Sequence, residues 1–209
     1  MKAVLISIQP KWCELIASGK KTVEVRKTRP KLEIPFKVYI YCTNGKPILG
    51  RCLNDNSLKE TPESDFDNYN RDTLFRANGK VIGEFVCDRV DEFRVFENKS
   101  LQYWHFRKLE NSCLSYEEVG DYIGANKNGY AWHISNLVIY DKPKELSEFI
   151  TFCPEWEKEY FGTKCLHCKY YFSNCSDMRH ECTVEGEKPL TKPPQSWCFV
   201  EELVGDNNA

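Results

Sequence analysis

The sequence predicts an α+β fold: a small β-barrel with short helices between its strands, followed by a cysteine-rich C-terminal module. Three observations lead there. Short, β-prone apolar runs recur at irregular spacing through residues 1–150, with only two stretches at helical period among them. Residues 44–79 break that pattern with Asn, Asp, Glu and Arg; a structureless stretch of that length is unusual in a compact domain, so they read as an insertion that is functional, disordered or folded without a legible period. Beyond residue 150 the composition turns to Cys, Lys, Tyr and Glu, and six of the eleven cysteines fall between Cys153 and Cys198.

Lys2–Ile8 is apolar enough for a strand. Pro10 then suits the first turn of a helix carrying Trp12, Leu15 and Ile16 at helical spacing, with Gly19 as its stop. Lys21–Arg26 alternates, setting Val23 and Val25 on one face and Thr22, Glu24 and Arg26 on the other. Lys37–Thr43 is a further strand, and Val81–Val90 a long one with Gly83 as a bulge position, which Phe93–Phe96 extends. Ser115-Tyr-Glu-Glu118 is a capping box opening a helix with Val119, Tyr122 and Ile123 inward and Gly124 at its end. Gly129–Tyr140 supplies the last strand of the main body. The closing Trp197-Cys-Phe-Val200 alternates like a strand that packs back on the barrel.

A hydrophobic content of 41% with 29% charged residues excludes wholesale disorder. The early apolar run Ala3–Ile8 is too short for a membrane span and lacks the layout of a secretory leader, so a cytoplasmic protein with reduced thiols is expected. The formal charge is only −2, but residues 1–31 carry eight basic side chains against Glu14 and Glu24 alone. A basic segment on an otherwise acidic chain points to a local anionic partner rather than bulk adhesion to nucleic acid.

Gly19-Lys20-Lys21-Thr22-Val23-Glu24-Val25-Arg26 fits the pattern Gly-x-Lys-x-x-Glu-x-Arg and resembles the signature of ASCH domains, of the PUA-like superfamily. Ile8-Gln9-Pro10 before it, Val38–Tyr41, Val81-Ile-Gly-Glu84 and Gly129-Tyr-Ala-Trp132 stand in the expected order. The final Pro-Pro-Gln-Ser-Trp-Cys-Phe-Val200 is similar to the ending of bacterial and phage members. The resemblance covers residues 1–150, with 44–79 inserted and 151–209 as an extension. It implies a PUA-like β-barrel whose cleft beside the signature receives RNA or a nucleoside. One bacterial branch resembles acetylcytidine amidohydrolases, and pairs the signature lysine with a threonine where this chain has Glu24.

A Lys/Glu/Arg group can bind phosphate through its cations while the carboxylate orients them or accepts a base or ribose hydrogen. Lys21 and Glu24 are also the candidates for catalysis, a desolvated lysine activating water against an amide. Lys20, Lys21, Thr22, Glu24, Arg26, Lys27 and Arg29 form the expected RNA or nucleotide site, with Tyr130, Trp132 and Trp197 as stacking aromatics and Trp12, on the helix's buried stripe, as the weakest such candidate. If Glu24 and Arg26 merely pair on the surface, they contribute only about 0–1 kcal/mol. An RNA- or nucleotide-binding domain is thus the first reading. A hydrolase of modified nucleosides or RNA is the second, and an adaptor docking a protein through its cysteine module the third.

Cys165-x-x-Cys168 has the spacing of half a zinc knuckle, and Cys175 and Cys182 follow. Four thiolates around one tetrahedral Zn2+ are the first choice, with an iron–sulfur cluster as the alternative. His167, His180, Cys153 or Cys198 could replace one of the later sulfurs. Metal analysis of purified protein should find about one zinc per chain, and Cys165→Ser should lose it. Protein free of both zinc and iron would contradict this.

Overall fold

The computed structural model describes residues 1–68, 72–101, 107–151 and 188–203. The expected metal ligands Cys165, Cys168, Cys175 and Cys182 lie outside the described residues, as does most of the cysteine-rich module.

Strand β1 (Lys2–Ile8) is buried from Ala3 onward and contributes to two of the apolar clusters. Helix α1 (Pro10–Ala17) begins with proline at its first position, where a missing N–H costs nothing, and buries Pro10, Cys13 and Ile16. Gly19 takes φ +73°, a left-handed value that lets the chain leave the helix and enter β2 (Val23–Arg26). Strand β3 (Phe36–Cys42) pairs in parallel with β1, and the helix-containing crossover between them is what a parallel pair requires.

The long strands β7 (Val81–Arg94) and β8 (Asn128–Lys144) form the antiparallel backbone of the sheet, and β11 (Trp197–Glu201) pairs antiparallel with β1. β7 runs unbroken through the two segments that sequence pattern separates at Val90. Its register against β8 shifts beside Gly83, where an added Cβ would meet the Val138 carbonyl at 2.3 Å.

The resulting six-stranded sheet has the order β11-β1-β3-β7-β8-β2 and does not close by strand pairing. The expected barrel is therefore corrected to an open, curled sheet. Side chains instead link the edge strand β2 to β1 and to the other edge, β11. The Arg26 guanidinium on β2 donates to the Ser7 carbonyl on β1 at 2.7 Å, and the Trp197 indole on β11 donates to Thr28 Oγ1 at 3.0 Å.

Residues 44–79, expected as an insertion, contain a three-stranded sheet, β5-β4-β6, from β4 (Leu49–Cys52), β5 (Ser57–Glu60) and β6 (Leu74–Arg76), with helix α2 (Glu63–Asn68). Strands this short leave too few alternations to be read from sequence. Leu49 and Leu58 reach the main core. Buried Arg51 donates to the Tyr140 carbonyl at 3.0 Å and to Asp141 at 3.1 Å, tying the insertion to β8.

Helix α3 (Tyr116–Ile123) opens with the anticipated capping box, Ser115 and Glu118 exchanging hydrogen bonds. It buries Val119 and Ile123, but Tyr122 faces outward, because the inward stripe is filled by the 119/123 pair and Gly120. Two short strands, β9 (Ile150–Thr151) and β10 (Lys188–Pro189), pair with each other beside the C-terminal strand. No helix among the described residues is long and apolar enough to cross a membrane.

Buried Asn78 accepts from Leu49 N at 2.7 Å and donates to the Gly45 and Pro47 carbonyls at 3.0 and 3.1 Å. Asn78→Ala would orphan these groups and should lower unfolding stability by about 2–3 kcal/mol in urea titrations. A change below about 0.5 kcal/mol would show that the insertion is held by its apolar contacts alone.

Candidate functional site

Strand β2 has four residues, and all four are buried. Val23 and Val25 pack with Phe93, Val119 and Ile123 beneath α3. Their alternates Glu24 and Arg26 face the other way, opposite Trp132 and Tyr130 of β8. The alternation is the one legible in the sequence, but its charged face turns inward rather than to solvent. Both faces of this edge strand are covered.

Three ionic groups meet there. Lys21 is 2% exposed; its ammonium donates to the Val23 carbonyl at 2.8 Å and the Ser112 carbonyl at 2.6 Å, and lies 3.2 Å from Glu24 Oε2. Glu24 Oε1 takes the Arg26 guanidinium at 2.9 Å. Arg26 continues to the Ser7 carbonyl and, at 3.5 Å, to Ser196 Oγ. The carboxylate thus bridges two cations, and two positive charges against one negative leave the group net positive. A surface ion pair of little consequence does not describe this arrangement.

The three acceptors around Lys21 Nζ match its three protons. They fix the ammonium as a donor between the end of α1, β2 and the 111–113 turn. Thr22 completes the junction, its N–H donating to the Asn111 carbonyl at 3.0 Å while its own carbonyl accepts from Ile134 N at 2.9 Å. Behind this group, burial pushes the Cys13 thiol well above its ordinary range, and the neighbouring Cys42 adds to the shift. Cys13 is therefore a packed thiol, fully buried and donating to the Ile8 carbonyl at 3.5 Å.

The remaining anticipated residues divide into rim and core. Lys20, Lys27 and Arg29 are exposed. Arg29 also lines a shallow groove with Lys31, Leu32, Glu33 and Ile34 on the loop between β2 and β3. Trp132 is 0% exposed, edge-on to Phe36 at 5.7 Å and 6.3 Å from Trp197, and belongs to the core. Tyr130 is half-buried against the same core. Trp197 is half-buried, packed on Phe199 and held by Thr28. Among the described residues, Arg26 Nε and Trp132 Nε1 are buried side-chain atoms with no hydrogen-bond acceptor. No cluster of three or more His, Cys, Asp or Glu groups suited to a metal occurs among the described residues.

Sequence reasoning does not single out three contributors. Ser112 acts through its carbonyl, and Ser7 through the carbonyl that accepts Arg26, neither of which depends on residue type. The third, Tyr122, falls on the helix's inner stripe by spacing, yet it stands near Lys27, whose ammonium is 5.1 Å from its ring centroid. Burial of part of the side chain raises the Tyr122 phenol above its usual range; Arg26 opposes that shift and Glu24 adds to it, which sets the phenol beside the ion group.

Replacing Glu24 by Gln would leave two buried cations without their counter-charge. Glu24→Gln should cost about 3–5 kcal/mol of unfolding stability by urea denaturation, against at most about 1 kcal/mol for an exposed pair.

A model of the ASCH domain matches residues 6–200. No curated protein matches the chain significantly. Among solved structures, ASCH from Zymomonas mobilis is similar at 17% identity and a TM-score of 0.50, over 96% of this chain and 88% of that one. A serine-to-alanine variant of the Zymomonas mobilis protein is similar at the same identity and TM-score, over 96% and 89%. At that identity the likeness shows the fold, while the domain match spans nearly the whole chain. With its signature built into β2 and the match running from β1 to β11, this chain belongs to the ASCH domain family.

Proposed function

We propose that this protein binds RNA or a nucleotide-derived ligand at the mouth of the Lys21–Glu24–Arg26 group. The observation that carries the reading is a buried ionic group with excess positive charge at the seam of the sheet, flanked by exposed Lys20, Lys27 and Arg29. Burying ions is costly, and the same volume filled with apolar side chains would usually be at least as stable. A charged arrangement kept at a seam serves recognition of an anion better than it serves stability. The basic rim draws phosphates in over distances of about 8–10 Å at ordinary ionic strength, on a chain whose net charge is otherwise negative. Membership of a family associated with RNA agrees with this.

Hydrolysis of a modified nucleoside or of RNA would require Lys21 to surrender one of its three acceptors to substrate. Binding requires no such exchange, and Lys21 then acts by holding Glu24 and the adjoining backbone in place. A docking role for the cysteine-rich module is compatible with either.

Fluorescence anisotropy with single-stranded RNA across a salt series tests the reading. Log affinity should fall linearly with log salt, and Lys27→Ala/Arg29→Ala should flatten the slope by about 0.7 for each phosphate that is no longer neutralised. Salt-independent binding, or a double variant with an unchanged slope, would contradict it.

A further inference from the structure

The aromatic side chains expected from the sequence to stack a base are poorly placed to do so. Trp132 is fully enclosed, and Trp12, Tyr130 and Trp197 are half-buried against the same core, the Trp197 indole committed to Thr28 and its ring to Phe199. A base cannot lie on a ring that solvent cannot reach. Among the described residues, the most exposed aromatic side chain beside the ion group is Tyr122, 38% exposed on α3.

Several features set Tyr122 apart from an incidental surface tyrosine. Its neighbours Val119, Gly120 and Ile123 point into the core and fix the helix, so the ring is held on a rigid element. Its phenol lies in the field of Glu24 and Arg26. Lys27, one of the rim cations, stands over its ring at 5.1 Å. Across from it, α1 presents half-buried Trp12, whose ring centroid is 5.2 Å from Lys21 Nζ and 4.0 Å from Lys11 Nζ. Lys11 in turn lies 3.9 Å from Glu118, tying the first turn of α1 to the first turn of α3. The ion group is therefore flanked by an aromatic ring from each of two helices that are themselves linked.

We propose that Tyr122 is the base-stacking residue of the RNA site, receiving one unpaired base of a single strand on the ring face that Lys27 now covers. This rests on the RNA-binding reading above. Stacking of a base on an aromatic ring outweighs an exposed cation–π contact, so an arriving base displaces the Lys27 ammonium. The displaced ammonium remains within reach of the phosphate next to that base. One residue thus supplies contact with the base and its neighbour contact with the backbone, and the exchange selects single-stranded over duplex RNA, whose bases are already stacked.

The test compares wild-type protein with Tyr122→Ala, Tyr122→Phe and Tyr122→Leu. Each is titrated with a labelled single-stranded RNA of about ten nucleotides and with an abasic strand of the same length. Melting curves confirm that each variant is folded. Tyr122→Ala and Tyr122→Leu should weaken RNA binding roughly ten- to hundredfold at every salt concentration, without changing the salt slope. Tyr122→Phe should stay within about twofold of wild type, and the abasic strand should not distinguish the four proteins. Wild-type RNA binding that survives Tyr122→Ala would overturn this proposal alone. So would a Leu variant that binds like Phe, or a weakening equal on RNA and abasic strands. Wild-type protein that binds no RNA would overturn the RNA-binding reading and this proposal together.

Discussion

The Glu24 carboxylate, held between the Lys21 ammonium and the Arg26 guanidinium, is the interaction on which the rest of the structure turns. It lies where the sheet fails to close. Every other neighbouring pair of strands is joined by backbone hydrogen bonds, whereas the step from β2 to β1 and β11 is made by side chains. Arg26 reaches Ser7 and Ser196, and Trp197 reaches Thr28. A four-residue strand contributes few ladder bonds, so its position depends heavily on these groups and on the valines packed beneath α3.

That dependence links fold to recognition. The same guanidinium that spans the seam is one of two cations that give the site its positive excess, and the same lysine that holds Glu24 fixes the turn at Ser112. Lys20 precedes β2 closely on the chain and Lys27 and Arg29 follow it, so placing β2 places them. A small domain can keep three buried ions only if each finds several partners, and Lys21 finds three within 3.2 Å. The arrangement is rigid at its floor and adaptable at its rim, a division suited to a ligand whose backbone is constant and whose bases vary.

Much of this was legible in the residues. The Gly19–Arg26 octapeptide located the ion group, its alternation assigned Glu24 and Arg26 to one face, and Ser115 with Glu118 announced α3. Three things were not legible, for identifiable reasons. Alternation reports which residues share a face but not whether that face is covered, so Glu24 and Arg26 could as well have been a surface pair. Hydrophobicity does not say which aromatic ring is enclosed either: Trp132 satisfied the core, leaving Tyr122, one position off the buried 119/123 stripe, in solvent. The 44–79 segment was opaque because it is held by Arg51 and Asn78, polar residues whose partners are mostly backbone groups distant in sequence.

Side chains, with the Arg26 guanidinium foremost, rather than strand pairing join the edges of the open sheet, and amide hydrogen exchange in Arg26→Met protein measures this most directly. Protection should fall selectively at Ser7 and along β11 and β2, while the β5-β4-β6 sheet, anchored through Arg51 and Asn78, keeps its wild-type rates. Unchanged protection at the seam would show that Arg26 does not hold the edges together, and the account given for this site would be wrong.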